Sequence, residues 1–251
     1  MKKITALLLA LVVVLSLAAC GKPAQTGDVD PNAKSEDAMT WAEFTAAEDQ
    51  TPIIIEAFIQ GKRVYSEEYQ NTCLYLADGD GAYFVYRLPC TAEEYAKFVD
   101  GQKIRITGYK TSWAGEIEVD AGAEFELLEG NWIADVVPGN ELLGTDKLIE
   151  NQNAFVSFTG LTVAPSTDAE GNEVAFLYNW DGSGQDGDDL YFNVSLNGET
   201  YTFTVETDQT PADSDVYAAV KALNVGDTVD IQGFLYWYEG PQTHVTYVGV
   251  K

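Results

Sequence analysis

The chain has 251 residues, 46% of them hydrophobic and 12% aromatic, enough to bury one large core or two ordinary ones, which excludes disorder over most of its length. Forty Asp and Glu stand against fourteen Lys and Arg, a formal charge of −26. So acidic a surface repels phosphate and lacks the cations whose counterion release supplies most non-specific nucleic-acid affinity, so nucleic acid is not an expected partner.

Residues 1–19 have the form of a signal peptide: Lys2 and Lys3, an apolar run from Ile4 to Leu17, then Ala18 and Ala19 before Cys20. The run is too short for a bilayer span, which takes about 20 apolar residues. Leu17-Ala18-Ala19-Cys20 resembles the lipobox of bacterial lipoproteins. The resemblance implies that Cys20 is diacylglycerated on sulfur, becomes the mature N-terminus and holds the protein on the extracytoplasmic face of the cell membrane, two acyl chains being a stable anchor where one is marginal. Residues 20–38 are polar and aperiodic and read as a flexible stalk.

Beyond the stalk the chain repeats itself. Val99-Asp-Gly-Gln-Lys-Ile-Arg-Ile-Thr-Gly108 matches Asn224-Val-Gly-Asp-Thr-Val-Asp-Ile-Gln-Gly233 at an offset of 125, and Trp113 and Gly115 then fall on Tyr238 and Gly240. The alternating strand Ile53–Ile59 lies over Val156–Val163 at an offset of only 103, so the second copy carries 22 extra residues between these anchors. A hairpin follows each opening strand: Thr72–Ala77 and Ala82–Leu88 around Asp78–Gly81, and Leu190–Leu196 and Glu199–Val205 around Asn197-Gly198, a strong type I′ turn signal. Short helices are predicted over Ala92–Val99, with Thr91 and Glu94 forming a capping box, and over Val216–Leu223. Two further strands begin near Lys103 and near Thr228.

Strand, hairpin, helix, strand, strand is the order of an OB fold. The expected class is all-β with short helices, two tandem OB-like five-stranded barrels spanning 39–130 and 151–251, joined by a linker with a short helix at 131–150, the second barrel carrying an acidic insertion at 164–189. The phrase Gly101-Gln-Lys-Ile-Arg-Ile-Thr-Gly-Tyr109, followed by Trp113-Ala-Gly-Glu-Ile-Glu118, resembles tandem OB-fold lipoproteins of low-GC Gram-positive bacteria. That resemblance implies the fold and the anchor and brings no activity with it.

Candidate chemistry is sparse. His244, the one histidine, has no nucleophile motif to serve and reads as a half-exposed strand residue. Glu116 and Glu118 share a strand face, as on a solvated edge. Catalysis is therefore not expected. Cys73 and Cys90 either form a disulfide or stay as two buried thiols, and the spacing leaves both open. Asn179-Trp-Asp181-Gly-Ser183-Gly184 matches the first half of a calcium loop, but position twelve is Leu190 where a bidentate Glu should stand. Asp181, Asp186, Asp188 and Asp189 would have to close a looser oxygen cage, making Ca2+ the one cofactor to test. Aromatics gather at the last hairpin of each copy, Tyr109 and Trp113 in one, Tyr236, Trp237 and Tyr238 in the other, where alternation leaves at least one exposed or between domains. The expectation that follows is a cell-envelope binding or scaffold module for glycan or an envelope protein, with a calcium-dependent structural or adhesive module as the alternative.

Overall fold

The computed structural model describes residues 29–251. The signal peptide expected at 1–19 and the lipidated Cys20 lie outside the described residues. Among those residues, no helix is long and apolar enough to cross a membrane.

Helix α1 (Trp41–Ala46) opens the first barrel, held by a reciprocal capping box between Thr40 and Glu43. Strand β1 (Pro52–Lys62) then places Ile53, Ile55, Ala57 and Ile59 on the core face. Strands β2 (Asn71–Ala77) and β3 (Ala82–Pro89) form the predicted hairpin. Helix α2 keeps its capping box but spans only Ala92–Tyr95, because the next amides bond three residues back, Lys97 N to Glu94 O and Phe98 N to Tyr95 O, and tighten the chain into turns. Strand β4 (Gln102–Trp113) pairs with β1, with β5 (Glu116–Val119) and with β6 (Glu124–Asn131). The order β1-β2-β3-β5-β4, with β4 returning to β1, closes a five-stranded barrel, and the β3–β5 pairing is its one parallel contact.

The second barrel repeats this closure. A short strand β7 (Val137–Pro138) and a 3-10 turn (Ile149–Asn151) lie in the segment read as a linker. Strand β8 (Phe155–Ala164) is followed by the insertion, which contributes β9 (Ser166–Thr167), β10 (Glu173–Val174) and β11 (Leu177–Tyr178). Strands β12 (Leu190–Leu196) and β13 (Glu199–Val205) turn at Asn197-Gly198, with φ of 54° and 89° as a type I′ turn requires. Helix α3 (Asp215–Lys221), capped by Ser214, precedes β14 (Thr228–Trp237) and β15 (Pro241–Val250). β8, β12, β13, β15 and β14 close the barrel, again with a parallel contact between its third and fifth strands. The protein is all-β, with two closed five-stranded OB-like barrels and few short helices.

Two sequence expectations change. Trp113 pairs with Glu116 across a two-residue turn, whereas Trp237 pairs with Pro241 across three, so Trp237 rather than Tyr238 stands at Trp113's place. Residues 30–38, read as stalk, lie along the first barrel: Lys34 Nζ is 2.5 Å from Asp78, Ser35 Oγ donates to Glu56 at 2.6 Å, and Asp37 pairs with Arg105 at 2.5 Å. The reason is charge, since Glu56 is only 3% exposed and needs partners that β1 alone does not supply.

Each barrel has its own apolar core, and a third cluster of Cys73, Tyr75, Phe84 and Phe234 joins them. Phe234 stacks on Tyr75 with centroids 4.1 Å apart and planes at 8°. It also presses on Gly61, where an added Cβ would lie 2.6 Å from its ring. The barrels are thus joined by a packed seam. Phe234→Ala should lower the stability of the intact chain by about 3–5 kcal/mol in urea denaturation, the cost of an aromatic cavity in a core; a change below about 1 kcal/mol would mean that the seam contributes little.

Candidate functional site

Strand alternation and the β3–β5 and β13–β15 crossings bring polar groups from both barrels to this seam. Arg63 follows β1. One guanidinium nitrogen lies 2.8 Å from Asp208, and the other lies 3.0 Å from His244 Nδ1. Tyr75 Oη lies 2.8 Å from the same Nδ1. Arginine can only donate, so Nδ1 is the acceptor and the ring proton sits on Nε2. Burial, with the Arg63 charge beside it, holds the imidazole well below its ordinary pKa, so it is neutral. Nε2 itself has no hydrogen-bond partner and is buried; Glu206 Oε1 faces it at 3.6 Å. The half-exposed histidine expected from the sequence is corrected to one that is 1% exposed, because Arg63 and Tyr75 of the first barrel and the Tyr236 ring cover it.

Glu116 and Glu118 are corrected in the same way. The face they share on β5 is turned inward, leaving them 0% and 5% exposed. Glu116 accepts from Asn153 Nδ2 at 2.5 Å and from the Trp237 amide at 2.9 Å, so it ties the hairpin of one barrel to the other. Desolvation pushes its carboxyl up to about 8 and that of Glu118 up to about 7, and Glu206 likewise rises to about 7.

Beside this cluster a cavity of about 720 Å³ opens to solvent, a size usual for small-molecule sites. Arg63, Glu206 and His244 contribute polar wall, and Trp180, Tyr191, Tyr236 and Tyr238 contribute aromatic wall. Tyr236 stacks on the His244 ring at 4.4 Å. Trp180 is 75% exposed and comes from the insertion.

Of the aromatics singled out by sequence, Tyr236 and Tyr238 line this cavity, while Trp237 packs against the second core. Trp113 (61% exposed) and Tyr109 (53% exposed) do not line it. Tyr109 instead borders a shallow groove beside Pro52 and Glu124. Sequence reasoning missed Arg63, Tyr75, Trp180, Tyr191 and Glu206. Glu206 lies one residue past a predicted strand, but nothing local marks any of them, since their partners are distant in the chain.

The calcium cage expected from Asp181, Asp186, Asp188 and Asp189 is corrected. Among the described residues, no cluster of three or more His, Cys, Asp or Glu could hold a metal ion. Asp181 accepts from the Ser183 amide at 3.0 Å, Asp188 from the Gln185 amide at 2.9 Å, and Asp189 from the amide and hydroxyl of Thr207. Asp186 pairs with Lys221 at 2.5 Å. These carboxylates brace the insertion and its Trp180. Cys73 and Cys90 are free and buried, and burial pushes both thiols up, Cys90 to about 11.

Cations are committed elsewhere. Lys34, Lys103, Arg105, Lys110 and Lys251 stand in ion pairs, and Lys62 and Arg87 lie over tyrosine rings.

No protein-family model and no characterised protein sequence matches the chain. Solved structures resemble it over about four fifths of its length. A murine DNA-binding protein bound to double-stranded DNA is 12% identical, with a TM-score of 0.37, covering 80% of this chain and 98% of its own. The HINa domain of Ifi202 in complex with 20-bp double-stranded DNA is 10% identical, with a TM-score of 0.34, covering 81% and 96%. A replication protein A heterotrimer bound to single-stranded DNA is 13% identical, with a TM-score of 0.32, covering 82% of this chain and 51% of its own. These neighbours carry DNA. They stand against the expectations of a glycan or protein scaffold, of a calcium-dependent module and of no nucleic acid.

The raised carboxyls give the seam a pH dependence of definite sign. Glu118 binds its proton more tightly folded, near 7, than at its ordinary 4.5, so its contribution is fully present below about pH 4.5 and is lost as pH rises through 7. Neutral His244 acts oppositely, but only below its ordinary 6.5. The chain should therefore melt lower at pH 8 than at pH 6.5. Glu118→Gln should remove part of that loss, about 1 kcal/mol between pH 6.5 and 8; equal slopes in both proteins would show that Glu118 is ordinary.

Proposed function

We propose that this protein binds a nucleobase, as a free base or nucleoside or as an unstacked base of a single strand, in the cavity where the barrels meet. The observation that carries this reading is one of chemistry: aromatic faces surround a wall on which a buried imidazole N–H has no partner. A planar heterocycle matches both, since rings stack on Tyr and Trp at about 1–3 kcal/mol per base and offer polar edges to a donor. Phosphate adds little here, because Arg63, the basic side chain of the cavity wall, already stands beside Asp208 and Glu206. Binding should consequently be almost independent of salt, unlike backbone-driven association.

His244 is read as a binding residue and not as a base in catalysis, because its Nδ1 lone pair is already occupied by Arg63 and Tyr75. The protein is further proposed to be lipid-anchored through Cys20 on the extracytoplasmic face, a reading supported by the signal peptide and Leu17-Ala18-Ala19-Cys20. Cys20→Ala should abolish palmitate labelling in cells; retained label overturns the anchor.

Titrating adenosine, cytidine, guanosine and uridine into the protein should quench tryptophan fluorescence through Trp180. Tyr236→Ala should weaken binding about tenfold or more, and raising NaCl from 50 to 500 mM should leave it nearly unchanged. Absence of any quench or calorimetric heat with all four nucleosides overturns the reading.

A further inference from the structure

The cavity wall holds two groups that face each other without satisfying each other. His244 Nε2 carries a proton, is buried and has no partner; Glu206 Oε1 stands 3.6 Å away, beyond hydrogen-bond range. Each group is oriented from behind. The imidazole is fixed through Nδ1 by Arg63 and Tyr75 and by the Tyr236 ring stacked on it. Glu206 follows β13, with Arg63 3.8 Å away. A donor and an acceptor so held are too far apart for each other and near enough for one planar edge to span both.

Resting on the base-binding reading above, we propose that Glu206 and His244 are its specificity pair: the carboxylate accepts from a ring or exocyclic N–H of the base, and imidazole Nε2–H donates to the adjacent ring nitrogen or carbonyl oxygen. A ligand lacking the N–H leaves the Glu206 oxygen desolvated and unpaired, and sites built to bond a polar group reject analogues without it far more strongly than apolar pockets reject a missing methylene. The groups facing Glu206 fix how pH acts. Arg63 from the first barrel favours its ionised form, while Asp189 and Asp208 oppose it, and desolvation is the largest effect, lifting the carboxyl to about 7. His244 is neutral and does not titrate with it. Lowering pH through 7 protonates Glu206, removes the acceptor and should weaken binding.

The test compares matched probes on the full chain: uridine against 3-methyluridine, and adenosine against N6,N6-dimethyladenosine, at pH 8.0 and pH 5.5. The expected result is that methylation weakens binding at least tenfold at pH 8.0, and that Glu206→Gln narrows this gap and flattens the pH dependence. Circular dichroism and the melting temperature establish that the variant is folded. Equal affinity for parent and methylated nucleosides overturns the specificity pair while leaving base binding intact. Failure of every nucleoside to bind overturns the base-binding reading and this proposal with it.

Discussion

A guanidinium buried where two barrels meet sets the terms for the rest of the molecule. Arg63 leaves β1 of the first barrel and reaches Asp208 and His244 of the second. A buried charge is tolerated only when it is paired and hydrogen-bonded. The barrels therefore have one relative arrangement in which Arg63 and Tyr75 of the first barrel both reach His244 Nδ1 of the second. Phe234 packs on Tyr75 beside them and gives that arrangement its apolar support. Polar groups specify the joint, and the aromatic seam stabilises it.

The same requirement explains why so acidic a chain keeps carboxylates inside. Glu116 ties the first barrel's last hairpin to Asn153 and the Trp237 amide, and desolvation holds its carboxyl up near 8. Glu239 N, on the matching hairpin of the second barrel, donates to Ala114 O at 2.7 Å. The two equivalent hairpins thus meet each other. Two barrels of one strand order thus meet at an interface in which corresponding loops take different roles, because a two-residue turn in one faces a three-residue turn in the other.

The acidic insertion follows the same logic outside the seam. Its carboxylates accept from backbone amides of their own loop and from Lys221 and Thr207. Asp and Asn favour such local turns, and the result is a braced loop that brings Trp180 to the cavity. A spacing resembling half a calcium loop arose from turn chemistry instead.

By itself the sequence determined what local physics determines. Apolar alternation placed β1 and β8, Asn197-Gly198 dictated its turn, Thr91 and Glu94 capped α2, and the repeat at offset 125 with an insertion led to two barrels of one order. These signals lie within a few residues of one another or recur at a fixed period. Only the tertiary structure decided the cavity and its polar wall. His244 meets Arg63, 181 positions away, and Glu116 meets Trp237, 121 away. Alternation says that Glu116 and Glu118 share a face but not what covers it, and a histidine on a strand reads as exposed until a second barrel is laid on it. Burial, and with it protonation and hydrogen-bonding capacity, is a property of the assembled seam, because desolvation depends on what the rest of the chain places around a group.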